Sequence, residues 1–192
     1  MACQGRWTII QSKGQCITSF NKKWIDYENG FGSLSTDLWL GNDLVSYLTG
    51  RPHKARFDLV TAEGESRYAH YDHFRVLNAT QKYKMRVWGY SGDAGNGLEG
   101  PTSRYNANGS MFTTTDKDND KYPTVNCADI ARSGWWWNWC GTANLNGPCR
   151  NQTGYQCPKR VISCMHWKPL SWDGPPLMSS RIRIRRNLWD EL

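Results

Sequence analysis

A chain of 192 residues suits one domain and is long enough to bury a core without needing metals or disulfides merely to fold. Its hydrophobic content of 39% leans on 11 Trp, 9 Tyr and 5 Phe, so much of the apolar area comes with polar handles. The formal charge of +7 permits attraction to polyanions, but no recognition module sets nucleic acid up as a partner, and no apolar run reaches transmembrane length.

In chain order, Trp7 to Gln11 reads as a strand, being β-branched and aromatic and followed by polar residues and Gly14. Ser19 to Asn29 predicts a short amphipathic helix carrying Phe20, Trp24 and Tyr27, ended by Asn29-Gly30. A second helix is expected over Leu44 to Leu48, capped by Asn42 or Asp43 and closed by Gly50. Lys54 to Thr61, Glu65 to Val76 and Lys82 to Tyr90 read as consecutive antiparallel strands, with Ala55, Phe57 and Leu59 alternating against Arg56, Asp58 and Val60. From Ser91 to Met178 the sequence turns to Gly, Asn, Asp, Pro and Cys, the composition of a loop-rich lobe. Arg181 to Arg185 alternates strictly and predicts a strand with Ile182 and Ile184 facing in and arginines facing out. The chain is thus read as a single domain over 1–192, with sheet and helices over about 1–90 and 179–186 and a loop-rich lobe over about 91–178.

Cysteines at 3, 16, 127, 140, 149, 157 and 164 lack the C-x-x-C spacing of zinc sites, which favours disulfides and an oxidising compartment. Seven cannot all pair internally: a lost partner, a free thiol and an intermolecular bond each account for the odd one. Sequons at Asn78, Asn108 and Asn151 suit a secreted glycoprotein. The start, Met1-Ala-Cys-Gln-Gly, has no charged and apolar signal-peptide regions. The end, Trp189-Asp-Glu-Leu192, has Trp where an endoplasmic-reticulum retention signal has Lys or His, so secretion is the expected fate.

Asp116, Asp118 and Asp120 stand at alternate positions of a polar run and offer a hard cation several carboxylate oxygens. An EF-hand does not account for them, because position six of that loop is Lys121 instead of Gly and position twelve is Cys127 instead of Glu. The other reading is a metal-free acidic turn held by Asx hydrogen bonds, with Lys117 and Lys121 as partners.

Taken in order, Trp7-Thr8, the run from Trp24 through Tyr27-Glu28-Asn29-Gly30-Phe31-Gly32, Leu38-Trp-Leu-Gly-Asn42, Asp116-Lys-Asp-Asn-Asp120, Asn126-Cys127-Ala128, Gly134-Trp-Trp136 and Asn144-Leu-Asn-Gly147 resemble the fibrinogen C-terminal (fibrinogen-related) domain family. The resemblance spans Trp7 to the final strand; the family's usual leading segment has no counterpart. It implies an α+β fold, a twisted antiparallel sheet with short helices plus a calcium-binding lobe. It implies Ca2+ held by the carboxylates of Asp118 and Asp120 and the carbonyls of Tyr122 and Thr124, with Val125 as the alternative to Thr124, and Asp116 as a neighbour. It implies a Cys127–Cys140 disulfide and a cis peptide at Trp139-Cys140 beside the pocket where lectin members bind acetyl groups and fibrinogen members bind peptide knobs.

The sequence departs from the acetyl-binding pattern at Ala131, Gly141 and the 157–160 segment, leaving Trp137, Trp139 and Gly141 as the candidate pocket, with core packing the other role for the tryptophans. A Cys149–Cys157 bridge is sterically reasonable, with Cys164 meeting Cys3, Cys16 or another chain. The expected function is a calcium-stabilised extracellular recognition domain, lectin-like and of the pattern-recognition kind familiar from innate immunity. The alternative is a protein-interaction or receptor-binding module, and homo-oligomers occur with either. His53, His70, His73 and His166 sit beside no nucleophile motif, which argues against an enzyme. Arg181, Arg183, Arg185 and Arg186 form the candidate polyanion surface, weighed against a solvated strand face.

Overall fold

The computed structural model describes residues 7–149, 157, 162–170 and 176–187. Cys3, the Asn151 sequon, Pro158 to Arg160 and Trp189 to Leu192 lie outside them. The elements are β1 (Thr8–Lys13), α1 (Trp24–Asn29), β2 (Phe31–Gly32), β3 (Leu38–Trp39), α2 (Asn42–Leu48), β4 (His53–Val60), β5 (Ser66–Val76), β6 (Met85–Gly92), α3 (Cys127–Ala131), β7 (Ala143–Asn144), β8 (His166–Trp167) and β9 (Ser179–Arg186).

Seven strands form one sheet in the order β2-β3-β1-β9-β4-β5-β6, and β7 pairs with β8 apart from it. Every ladder is antiparallel. The last strand fills the centre: β9 pairs Ile182 with both Gln11 and Phe57. Alternation then buries Ala55, Phe57, Leu59, Ile182 and Ile184 on the inner face. The inward parity of β5 shifts between Tyr71 and Phe74, opposite Gly89 of β6. Gly89 has φ +75°, and a Cβ there would lie 2.8 Å from Asp72 Cβ, so glycine permits the kink.

Against the inner face packs an aromatic core. Tyr27 meets Trp39 at 5.4 Å and Phe112 at 5.0 Å, and Phe112 meets Trp136 edge-on at 5.3 Å, the offset geometries that ring quadrupoles favour. Polar ends are answered within it: the Trp39 indole donates to Tyr27 O and Asn42 Oδ1, the Trp136 indole to Tyr83 O, and the Tyr27 hydroxyl to Phe20 O.

Several expected boundaries move for identifiable reasons. Helix α1 starts at Trp24 instead of Ser19, because the Trp24 amide is taken by the Asp116 carboxylate at 2.9 Å, Lys23 before it is extended, and Phe20 O is held by the Tyr27 hydroxyl. Neither Asn42 nor Asp43 caps α2; Gly41, at φ 107°, is the cap, and Asn42 is buried in the first turn serving Trp39. Strand β6 starts at Met85 instead of Lys82 because Lys82 and Tyr83 are left-handed.

Candidate functional site

The loop-rich lobe is joined to the sheet through buried amides. Gln11 Nε2 of β1 donates to Leu145 O (2.9 Å) and Ser180 Oγ (2.9 Å), Asn146 Nδ2 to Gly134 O, and Asn144 Nδ2 to Ile162 O. Asn and Gln carboxamides thus satisfy backbone groups that no regular ladder serves. Gly134 lies where a Cβ would come 2.6 Å from the Tyr27 ring, and its amide donates to Tyr27 Oη. Three disulfides hold the described residues: Cys16–Cys149, Cys127–Cys140 and Cys157–Cys164. The expected 127–140 bridge is present; a 149–157 bridge is not, since Cys149 reaches 133 residues back to Cys16 and Cys157 closes on Cys164.

On this frame sits the acidic loop. Its two ends are tied by the Thr113–Trp135 bridge and by Asn126, whose Nδ2 donates to Thr114 O and whose Oδ1 caps α3 through Ala128 N. Asp118 Oδ1 accepts from the Asp120 amide at 3.1 Å, while Asp120 accepts from Tyr122 N and Cys127 N, both at 2.7 Å. The Cys127 that is bridged to Cys140 therefore also positions the Asp120 carboxylate. Burial raises the Asp120 pKa; the Cys127 and Tyr122 amides pull it down, the Asp118 charge pushes it up, and the net direction is up. Asp116 accepts from Trp24 N and Thr114 Oγ1, so it braces the loop against α1.

The donor set fits a hard dication. Two carboxylates stand side by side at a cost that positive charge would relieve, and no cluster of three or more Asp, Glu, His or Cys occurs among the described residues. A calcium ion here would therefore complete its shell with backbone carbonyls and water, as the Tyr122 and Thr124 assignment requires.

Beside the loop, Trp139 is half-buried, with Tyr122 at 5.0 Å and the Arg104 guanidinium 4.2 Å over its ring. Trp137 is fully buried, its indole donating to Ser133 O, and Trp135 and Trp136 are core as well. Trp137 thus faces packing and not solvent, and Gly141 is buried too. The expected cis peptide before Cys140 is absent: all described peptides are trans, and the backbone turns through Cys140 at φ 59° and Gly141 at φ 146°.

Of the sequons described, Asn78 is exposed, with its carbonyl oxygen capping a 3-10 turn at Gln81, whereas Asn108 is half-buried and accepts from Val87 N. In the arginine stripe of β9, Arg181 is exposed, Arg183 pairs with Asp58 at 2.6 Å, and Arg185 lies 4.9 Å over the Trp7 ring. Sequence reasoning missed α3, although Asn126 before Cys127-Ala-Asp is a recognisable N-cap. It also missed Asp37 and Arg104, for which no local signal exists.

Comparison with known proteins agrees with this architecture. The chain is 43% identical to Homo sapiens fibroleukin over 149 residues (77% of this chain, 34% of that protein) and 36% identical to Homo sapiens angiopoietin-4 over 184 residues (94% and 34%). It spans about a third of the length of these curated relatives. The fibrinogen-like globe domain of human ANGPTL2 superposes with a TM-score of 0.86 at 31% identity, covering 97% of this chain and 82% of that one. A lamprey fibrin D-dimer complexed with the peptide Gly-His-Arg-Pro-amide superposes at 0.84 and 29% identity, covering 97% and 63%. The family model of the globular C-terminal domain of fibrinogen beta and gamma chains matches residues 1–184, and the protein belongs to that family.

Proposed function

We propose that this chain is an extracellular protein-recognition module whose contact surface is the loop-rich lobe, with calcium at Asp118 and Asp120 as a structural ion. The observation that carries the reading is the likeness, over 97% of the chain, to a fibrin fragment complexed with a peptide. The angiopoietin and fibroleukin relatives agree with it, and three disulfides suit an oxidising compartment. No helix among the described residues is long and apolar enough to cross a membrane.

Calcium would be held by the Asp118 and Asp120 carboxylates with the Tyr122 and Thr124 carbonyls. It would neutralise the adjoining carboxylates and stiffen the segment between Thr113 and Cys127, which carries Tyr122 against Trp139. The surface presented is then Tyr122, Trp139 and Arg104, an aromatic and Arg grouping of the kind enriched in protein interfaces. A lectin-like role finds less support: Trp137 is buried, and the Trp139 ring is already in contact with Arg104 and Tyr122.

The test is a paired screen of the calcium-loaded protein on an array of extracellular protein domains and on a glycan array. Saturable binding to a protein, weakened by Arg104→Ala, supports the proposal. Glycan binding without any protein ligand returns the reading to a lectin.

A further inference from the structure

The back of the sheet, remote in sequence from the acidic loop, carries a second feature. Register sets Arg56 directly opposite Arg183, and Lys54 directly opposite Arg185, across β4 and β9. Arg75 and Arg86 face each other likewise across β5 and β6. Like charges directly opposed across a ladder cost stability, and here two such rows are consecutive at the centre of the sheet. Two carboxylates compensate: Asp58 serves both Arg56 Nε (2.7 Å) and Arg183 Nη2 (2.6 Å), and Asp72 reaches Lys54 at 3.5 Å.

The Arg56–Arg183 row borders a groove of about 560 Å3, lined among others by Arg56, Arg67, Arg181, Arg183, Asp58 and Tyr68. The volume is in the range of ligand sites. Four guanidinium groups face one lining carboxylate. Arg67 pairs with exposed Glu65 at 2.7 Å, outside the groove lining, and Arg181 has no ion pair among the described residues. Lys13 also borders the groove, but its ammonium turns into the core, 4.1 Å over the Phe20 ring. The Arg56 guanidinium lies 4.0 Å over the Tyr68 ring, a contact that restrains it without using its N–H groups. Arg183 Nε is buried with no hydrogen-bond partner.

We infer that this groove binds the sulfate groups of a linear sulfated glycan, with Arg56, Arg181 and Arg183 as the principal contacts and Arg67 at the rim. Successive outward residues of a strand are about 7 Å apart and neighbouring strands about 5 Å, so the arginines form a ladder that a row of regularly spaced anions can follow. A planar guanidinium donates two parallel N–H groups to an oxyanion. An anion at this position also removes the repulsion between Arg56 and Arg183. Relative to the arginine stripe of β9 alone, Arg185 and Arg186 give way to Arg56 and Arg67 on neighbouring strands. The assignment is independent of the protein-recognition lobe.

The experiment measures the affinity of the full chain for a heparin oligosaccharide by calorimetry across a salt series. The comparison is wild type, Arg56→Gln/Arg181→Gln, and the charge-matched control Lys22→Gln/Lys82→Gln. Two lost charge-assisted contacts should weaken Kd about tenfold or more in the groove variant and flatten its salt dependence, with the control close to wild type. Arg56→Gln relieves the repulsion from Arg183 and also removes the Asp58 pair and the Tyr68 contact, so thermal unfolding is followed for each variant, and a groove variant that stays folded at the assay temperature yet binds weakly separates lost binding from lost folding. De-sulfated heparin should not bind. Equal loss in the two double variants overturns the site, and equally tight binding of anionic phospholipid vesicles or duplex DNA overturns the glycan assignment.

Discussion

Asp37 is buried between β2 and β3 and accepts five backbone amides: Gly14, Gln15 and Cys16 on Oδ1, Ile17 and Thr18 on Oδ2, at 2.8–3.2 Å. This one carboxylate shapes the segment from β1 to the Cys16–Cys149 bridge. Replacing it with Asn leaves one acceptor oxygen, so at least two amides lose their partner and the buried Lys13 ammonium loses its counter-charge. Uncompensated amides cost about 1–3 kcal/mol each, and breaking a buried charge relationship costs about 3–5 kcal/mol. With partial solvent access to the loop, the expected loss at neutral pH is about 3–5 kcal/mol, or roughly 10 °C in Tm for a protein of this size.

Urea unfolding followed by Trp fluorescence measures it. Burial alone would raise the Asp37 pKa, but the Gly14, Thr18 and Cys16 amides and Lys13 outweigh it and hold the pKa low. A depressed folded pKa gives stability that is present above the unfolded value of about 4 and lost as pH falls through the folded value. The gap between wild type and Asp37→Asn should therefore narrow in acid. A loss under about 1 kcal/mol at neutral pH, or a gap that does not change in acid, would refute the reasoning.

Further predictions concern pH, the lobe and modification. Burial pushes the Lys13 pKa down to about 8 against the opposing pull of Asp37; a folded pKa below the unfolded value makes stability rise with pH from about 8 to about 10.5, and Lys13→Met should abolish that rise in chemical denaturation. Burial likewise pushes His166 down to about 4, with Cys164 O opposing, so stability should fall as pH drops from about 6.5 to about 4, and His166→Gln should flatten that limb in a thermal-shift series. Removing the Cys127–Cys140 bridge with a double Ala replacement should cost about 3 kcal/mol and weaken calcium binding by calorimetry, because Cys127 N also holds Asp120. Intact-mass analysis of protein secreted from eukaryotic cells should find a glycan on exposed Asn78 and none on Asn108, whose side chain is committed to Val87 N.

The strands of the sheet were legible because their signals are local: Ala55, Phe57 and Leu59 alternate, and so do Ile182 and Ile184. The fate of Arg183 was not, since only the register of β4 against β9 brings it to Asp58 and Arg56. The acidic loop was readable from residue type, yet its anchoring was not: Asp116 to Trp24 spans 92 residues. Helix caps failed at Gly41 because a tertiary demand, the Trp39 indole, draws Asn42 into the core. For the pocket, counting tryptophans could not separate fully buried Trp137 from half-buried Trp139 two residues on, because loop geometry and not periodicity sets their directions.

The most direct test of the central claim is the isotherm of a partner protein, taken from the ectodomain screen, against the wild-type protein and Asp120→Asn, each in calcium and after chelation. The account predicts saturable binding by wild type that is lost with chelator and strongly weakened in Asp120→Asn while the native fluorescence spectrum persists. Binding that is indifferent both to chelation and to Asp120→Asn would contradict it.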